Sequence, residues 1–347
     1  MTADGLHGTD DETNAVDAAD LESDGEVDDA ALRPAWGRPE AVAMRWAVPP
    51  DADGRTPPAV LAHKVRRLGL GRALRVVQAG DLRVVVGDAT RAAVVDEVLP
   101  RGTQVEVWRL PPDAPGDLVG EPRVLRQGDG LVVVDKPGDL AVHPSARYLH
   151  CTVTAWLRRR GTPANPCHRL DRETSGVLVC ANDKAAERRW KQAFAHGAVE
   201  KEYLAVVDGE VAAPFVVDLP LALQGDRGLV RIRVVADDAG PPARTRFEPV
   251  DVSADGRRTL LRCTPATGRQ HQIRAHLHAA GHPIVGDKLY QMGDRWFDAF
   301  TRRALTDDER ARLPCARQCL HASRVRLGAE EFVAEAPVDL LAAFAGR

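Results

Sequence analysis

From about residue 121 onward, short apolar runs follow one another with too little chain between most of them for a helix. LVVVD (131–135), GVLVCA (176–181), EYLAVVDG (202–209), LVRIRVV (229–235), TLLRC (259–263), RVRLG (324–328) and FVAEA (332–336) have the composition and length of strands. Two segments carry the helical period instead. In KAAERRWKQAFAHG (184–197), Ala186, Trp190 and Ala193/Phe194 share one face and Gly197 ends it, and RQHQIRAHLHAAG (269–281) also closes on glycine. A parallel sheet needs a crossover between each pair of strands, and this chain does not supply enough of them. The expectation over 116–347 is therefore an α+β domain with a mixed, largely antiparallel central sheet flanked by helices.

Ahead of it, residues 39–115 read as a small module. Leu61, Val65 and Leu68 recur at helical spacing with Gly69 as a stop, a second short helix runs over 72–79 to Gly80, and DLRVVV (81–86) and QVEVWRL (104–110) read as strands. Its helices carry Lys64, Arg66, Arg67, Arg72 and Arg75. GLG at 69–71 lacks both a third glycine and a preceding strand, so no dinucleotide site is read there. Residues 1–38 are acidic and nearly free of large apolar groups, a composition that cannot offset ordering entropy, so a disordered tail is expected. The formal charge of -3 hides this division: 11 acids and no Lys or Arg fall in residues 1–30, leaving 39 acids against 47 bases in the rest. A basic body suits a polyanionic partner, and a solvated surface of mixed sign fits the composition equally well.

The most concentrated chemistry lies in CHRLDRETSGVLVCAND (167–183). His168, Arg169, Asp171, Arg172, Glu173, Thr174 and Ser175 put seven polar residues into eight positions directly before the strand GVLVCA. A polar turn of that length entering a core usually holds something specific. Asp171 stands beside Arg169 and Arg172, cations that keep a carboxylate ionised. Taken alone, this composition suits a structural ion-pair loop better than a catalytic one.

HRLDRETSG (168–176) resembles the signature of the RluA family of RNA pseudouridine synthases, in which the aspartate is the essential catalytic group. The similarity continues in order along the chain. LVVVDKPGDLAVHP (131–144) resembles the family's lysine-proline and histidine-proline opening, and VEKEYLAVVDG (199–209) its lysine-x-tyrosine strand. PARTRFEPV (242–250) and TGRQHQIRAHLHAAGHPIVGDKLY (267–290) resemble its later motifs, and QCLHASRVRL (318–327) its C-terminal leucine-histidine strand. The match runs from about 125 to 340 and implies the pseudouridine synthase fold there. The two basic helices and following strands of 39–115 resemble the alpha-L RNA-binding domain often found ahead of that fold. Asn182 departs from the pattern, standing where the family often has a basic residue.

Carried over residue by residue, the resemblance implies that Asp171 is the catalytic carboxylate, that Tyr203 stacks on the target base, and that Arg274 pairs with Asp171. Arg169 would fill the space an extruded nucleotide leaves or otherwise guide it, His168, Lys201 and Arg269 would face RNA, and Lys136 would have a structural or RNA-facing role. The chemistry fits these residue types. Isomerising uridine breaks the C1′–N1 bond, turns the uracil and joins C5 to C1′, with nothing gained or lost, so no cofactor and no metal are expected. Cleavage builds positive charge at C1′, which an ionised carboxylate stabilises or traps. An arginine partner keeps a buried carboxylate charged.

Other readings compete. His271, His276, His278 and His282 crowd one helix, but His271 and His278 lie about 10 Å apart along its axis, so no three converge on one ion. Cys315, Cys319 and His321 have loose ligand spacing, and Cys319 belongs to the C-terminal strand motif as a core residue. The six scattered cysteines are read as reduced. The clusters Arg158–Arg160 and Arg188, Arg189, Lys191 suit RNA contacts and solvated helix faces alike. The 291–318 stretch looks longer than the core fold needs, either an RNA-reading insertion or a helical decoration. The rival functions are a catalytically silent RNA-binding protein on the same fold and a metal-dependent hydrolase. With no long apolar run and no signal-peptide pattern, a cytoplasmic monomer acting on ribosomal or transfer RNA, with no membrane and no obligate protein partner, is the expectation.

Overall fold

Asp81 ties Ala35 and Trp36 to the N-terminal unit. Its buried carboxylate accepts hydrogen bonds from the backbone N–H groups of Ala35 (2.7 Å) and Trp36 (2.9 Å). Trp36 packs edge-on against Trp108 and lies under the Arg83 guanidinium. Ala35 and Trp36 thus belong to the folded N-terminal unit and not to the acidic tail in which the sequence reading had put them. The protein is seen here as a computed structural model that describes residues 35–38, 41–65, 68–110, 118, 120–145, 148–224, 231–234, 240–302 and 305–346. The expected disordered tail over 1–34 lies outside the described residues, as do Arg66 and Arg67. The chain divides into two units, one chiefly up to Pro111 and one chiefly from Pro112.

The first unit is built from β1 (Val42–Ala47), α1 (Pro57–Lys64), α2 (Gly69–Gln78), β2 (Leu82–Val86), β3 (Ala89–Ala92) and β4 (Gln104–Arg109). Its sheet has the order β1-β4-β2-β3, every pairing antiparallel. Val60, Leu61, Ala73, Val77, Leu82, Leu99 and Val105 form its core. The first helix ends earlier than its apolar spacing suggested, and Gly69, with φ +66, opens the second helix instead of merely closing the first. β1 was not foreseen: Val42, Met44 and Trp46 alternate inward, but apolar Ala43 and Ala47 on the other face blur the two-residue period.

The second unit continues with β5 (Arg123–Gly128), β6 (Leu131–Lys136), α3 (Val153–Arg159), β7 (Asn165–Pro166), β8 (Ser175–Ala181), α4 (Lys184–Ala195) and β9 (Glu200–Asp208). Then come β10 (Phe215–Asp218), β11 (Leu221–Gln224), β12 (Arg231–Val234), β13 (Arg244–Val252), β14 (Arg258–Pro265) and α5 (Gln272–Ala279). The unit ends with α6 (Asp294–Arg302), α7 (Asp307–Ala311), β15 (Leu320–Leu327), β16 (Glu330–Val333) and α8 (Val338–Phe344). The main sheet has ten strands in the order β10-β13-β14-β9-β15-β8-β6-β5, with β16 beside β15 and β7 beside β8. Only the β15–β8 contact is parallel among the pairings described. The expected mixed, largely antiparallel sheet with flanking helices is what forms.

The continuous apolar runs have a simple cause: the central strands are covered on both faces. Leu131 and Val133 of β6 join Val177 and Val179 of β8 around Trp190 of α4. Val132 and Val134 join Leu178 and Cys180 on the other face, against Trp156 and Leu157 of α3. Farther along, β9 and β14 pack on α5 and α8 through Val206, Leu261, Leu277 and Leu340. β16 begins at Glu330 and gives way at Ala334, two residues ahead of the FVAEA run over 332–336.

Candidate active site

The loop between β7 and β8 owes its shape to groups that reach it from distant parts of the second unit. Lys136, at the end of β6 and fully buried, donates to the carbonyls of Pro137, Leu140 and Arg172 at 2.8–2.9 Å. Arg317 donates to the Glu173 carbonyl (3.0 Å), and its other edge grips Asp339. Lys288 pairs with the Glu173 carboxylate at 2.5 Å, both side chains being buried. Gln318 donates to the Thr174 hydroxyl (2.8 Å), and Ser175 bonds His321 (2.9 Å). Arg172 pairs with Asp139 and lies over the rings of Tyr148 and Phe300. The polar run 172–175 is therefore almost wholly engaged in holding its own backbone.

Gly176 is the reason the loop can enter the sheet where it does. It has φ +108, and a Cβ there would lie 2.2 Å from the Ala322 carbonyl oxygen. That close approach puts Gly176 in register with Ala322 of β15, which is in turn in register with Tyr203 of β9. Three strands thus bring Tyr203 into the same row as the end of the Asp171 loop. Tyr203 is partly buried between two apolar clusters. Burial first, then the negative charge of Asp171, push its phenol above the ordinary range, so it stays protonated.

Arg274, buried on α5, donates from Nη1 to Asp171 Oδ2 at 2.7 Å. Its other edge is bidentate with buried Asp287, Nε to Oδ2 at 2.7 Å and Nη2 to Oδ1 at 3.0 Å. The backbone N–H groups of Leu289 and Tyr290 both donate to Asp287 Oδ1. His271 enters α5 with φ +54 and sets Nε2 3.8 Å from Asp171 Oδ1. Burial would raise the Asp171 pKa, but the fields of His271 and Arg274 and hydrogen bonds from Arg274 and Gln318 outweigh it, so the carboxyl is held well below its usual value. Burial, reinforced by Arg274, lowers His271 to about 4, so its ring adds positive charge beside Asp171 only in acid, and at neutral pH the Arg274 guanidinium is the cation in contact with that carboxylate.

The expected Asp171–Arg274 pairing is present, with Tyr203 placed nearby. Arg169 and Arg269 are exposed, and among the described residues no ion pair holds either. Three of the expected RNA-facing residues turn inward, which corrects that reading. His168 accepts the Val179 N–H at Nε2 (3.0 Å) and stacks on Phe194, and burial drives its pKa down to about 3. Lys201 is buried and donates to the Thr267 carbonyl (3.0 Å). Lys136 is spent on its three carbonyls. Lys136 and Lys201 sit at strand ends, where a long side chain can fold back onto nearby carbonyls, and His168, in the β7–β8 loop, caps the Val179 N–H of β8.

Sequence reasoning missed Asp287, Glu173, Lys288, Arg317 and Gln318 as parts of one frame. GDKLY and QCLH were legible as motifs, but only the fold brings 173, 288 and 317 together. The histidines of α5 diverge: His276 uses both ring nitrogens on Thr245 and the Leu219 carbonyl, while His271 sits beside Asp171. His321 is likewise committed at both nitrogens. Among the described residues no group of three His, Cys, Asp or Glu side chains is arranged to hold a metal ion. The 291–318 stretch folds as α6 and α7, and its Phe300 covers Arg172.

The family model for RNA pseudouridylate synthase matches residues 130–279. The dual-specificity RNA pseudouridine synthase RluA of Escherichia coli is 41% identical over 170 residues, covering 48% of this chain and 76% of that protein. The mitochondrial tRNA pseudouridine(32) synthase of Saccharomyces cerevisiae is 39% identical over 178 residues, or 50% of this chain and 38% of the yeast protein. The structure of human RNA pseudouridylate synthase domain containing 4 superposes with a TM-score of 0.50 and 26% identity, covering 64% of this chain and 92% of that one. The chain belongs to the RNA pseudouridylate synthase family, in its RluA-type branch. It spans 30–57% of the length of several curated relatives, the yeast protein among them.

Proposed function

We propose that this chain isomerises uridine to pseudouridine in RNA, with Asp171 as the catalytic group. The observation that carries the reading is the 2.7 Å contact between Arg274 Nη1 and Asp171 Oδ2, which keeps a partly exposed carboxylate ionised beside the bonded run 172–175. As the C1′–N1 bond breaks, that carboxylate stabilises or traps the cationic anomeric carbon. Tyr203 gives the detached uracil an aromatic face while it turns and C5 joins C1′. The proton displaced from C5 leaves to solvent. The target base must first leave its stack, at a cost of about a few kcal/mol, and the exposed Arg169 and Arg269 would help offset it through phosphate contacts.

Names of relatives point to tRNA and to a dual-specificity RNA enzyme, and ribosomal or transfer RNA is the substrate class we assign. In the same reading the basic N-terminal unit binds RNA and the protein works as a cytoplasmic monomer; a mitochondrial relative makes cell fractionation the direct check on the compartment. No helix among the described residues is long and apolar enough to cross a membrane.

The test is RNA tritiated at uridine C5, including total RNA from a strain lacking the gene. Label release by the parent protein and none by Asp171→Asn, with RNA affinity retained, is expected. No release by the parent from any RNA favours a catalytically silent RNA-binding protein, and release by Asp171→Asn at the parental rate ends the proposal.

A further inference from the structure

The loop between α7 and β15 brings two thiols together. Cys315 and Cys319 have sulfurs 3.2 Å apart. Cys319 is buried at the foot of β15, where its backbone joins Val206 and Val285, while Cys315 is only half-buried. The other four cysteines are buried. Hydrogen bonding from Cys319 lowers the Cys315 thiol to about 6, and the same contact together with burial raises Cys319. Cys315 is thus the sulfur suited to attack, and the 3.2 Å separation puts Cys319 within reach to resolve it.

We propose that Cys315 and Cys319 form a modification site: a dithiol that a hydroperoxide oxidises to a disulfide, distorting the frame around Asp171. The Cys315 thiolate attacks one peroxide oxygen, the O–O bond breaks, and a water leaves once the departing oxygen takes a proton. Cys319 then attacks the resulting sulfenic acid, the S–O bond breaks, and the second water leaves with the Cys319 proton. Two thiols and one hydrogen peroxide become one disulfide and two waters, the sulfurs losing the two electrons that the peroxide gains.

The consequence follows from what lies between the two cysteines. Disulfide formation requires the sulfurs to close by about 1 Å. The intervening loop has little slack, because a Cβ on Gly286 would already lie 2.3 Å from the Arg317 carbonyl oxygen and 3.1 Å from the Cys315 Cβ. Ala316 accepts from Lys288, Arg317 donates to the Glu173 carbonyl, and Gln318 donates to Thr174. Each residue of the bridge therefore touches either the chain just after Asp171 or the chain just after Asp287. Tightening the bridge pulls on both carboxylates that hold Arg274.

The experiment uses the full chain, reduced, desalted and treated with equimolar hydrogen peroxide. Intact mass should fall by two hydrogens. Tryptic digestion after unfolding, without reductant, should yield LPCAR (313–317) joined to QCLHASR (318–324). Cys315→Ser should give neither product. Absence of the linked pair, or oxidation of Cys315 to a sulfinic acid in its place, overturns the site. The effect on Asp171 rests on the proposed isomerase activity: label release should fall on the order of tenfold or more on oxidation, as for a catalytic group displaced by up to about 1 Å. It should recover with dithiothreitol and stay unaffected by peroxide in Cys315→Ser. A linked but fully active protein overturns the coupling. A reduced parent inactive on every RNA counts against the isomerase, and the mass measurement still decides the dithiol.

Discussion

Arg274 meets Asp171 through a single N–H, Nη1 to Oδ2 at 2.7 Å, because Asp287 occupies the opposite edge of the same guanidinium. The planar fork cannot rotate without breaking two charge-assisted bonds to a buried, immobile carboxylate. Asp287 thereby sets the direction from which Asp171 is held. Asp287→Asn keeps an oxygen for the Leu289 and Tyr290 N–H groups but loses the bidentate grip. Its kcat should fall roughly tenfold to a hundredfold, as for a small misplacement of a catalytic group, with RNA affinity near parental. In an Arg274→Ala background the same change should cost nothing further, since Asp287 then has nothing to orient. Additive losses would show Asp287 acting independently of Arg274.

Gly176 makes a sharper demand on the fold. Alanine there combines φ +108 with a Cβ 2.2 Å from the Ala322 carbonyl oxygen, and neither partner is a flexible side chain. Backbone strain and overpacking together should cost about 3 kcal/mol or more. Urea unfolding of Gly176→Ala measures this directly, and a loss below about 1 kcal/mol would mean that β8 and β15 separate more easily than their register implies.

The sheet was legible because β6, β8 and β9 carry consecutive apolar residues, as strands buried on two faces do, while β14 alternates in the two-residue period of a strand with one buried face. β13 matches a family motif but lacks the look of a strand, since RTRFEPVDV places arginine, glutamate and proline along a partly exposed stretch. The pairing of Asp171 with Arg274 was readable through family resemblance, but nothing local joins positions 103 residues apart. The polar loop shows the limit most clearly. Its seven polar residues looked alike in sequence, yet His168 and Arg172 to Ser175 are drawn inward by partners that only the fold supplies. Composition reveals that such a loop must be held; it does not reveal by whom.

His168 gives a prediction in pH. Its folded pKa is about 3, against roughly 6.5 in an unfolded chain. The native state refuses a proton that the unfolded state accepts, so the effect is absent above pH ~6.5 and destabilises progressively as pH falls from there towards 3. His271, lowered to about 4, acts in the same direction over a narrower window. Each should remove about 1 kcal/mol per pH unit within its window. Urea midpoints measured from about pH 7 to about pH 5 should fall accordingly, and His168→Gln, which offers Val179 an acceptor that does not titrate, should flatten the slope. An unchanged slope would mean that His168 is protonated in the fold.

Arg169 and Lys201 separate two kinds of basic residue that look alike in sequence. Arg169 is exposed and, among the described residues, unpaired, so Arg169→Ala should change stability by no more than about 0.5 kcal/mol. If it contacts phosphate or the nucleotide gap, the same substitution should weaken RNA binding and reduce the salt slope by about one. Lys201 is buried against the Thr267 carbonyl. Lys201→Met should leave the salt slope unaltered, and its effect should appear in unfolding, where the freed Thr267 carbonyl costs about 1–3 kcal/mol less whatever the methionine gains by burial. Arg269→Ala belongs with Arg169 on this criterion, its guanidinium making only a long 3.4 Å contact to the Pro242 carbonyl. Measuring RNA affinity at several salt concentrations beside urea unfolding for all three variants sorts them. A lowered salt slope for Lys201→Met, or a large loss of stability for Arg169→Ala, would contradict the inward and outward placements on which the RNA-facing surface is drawn.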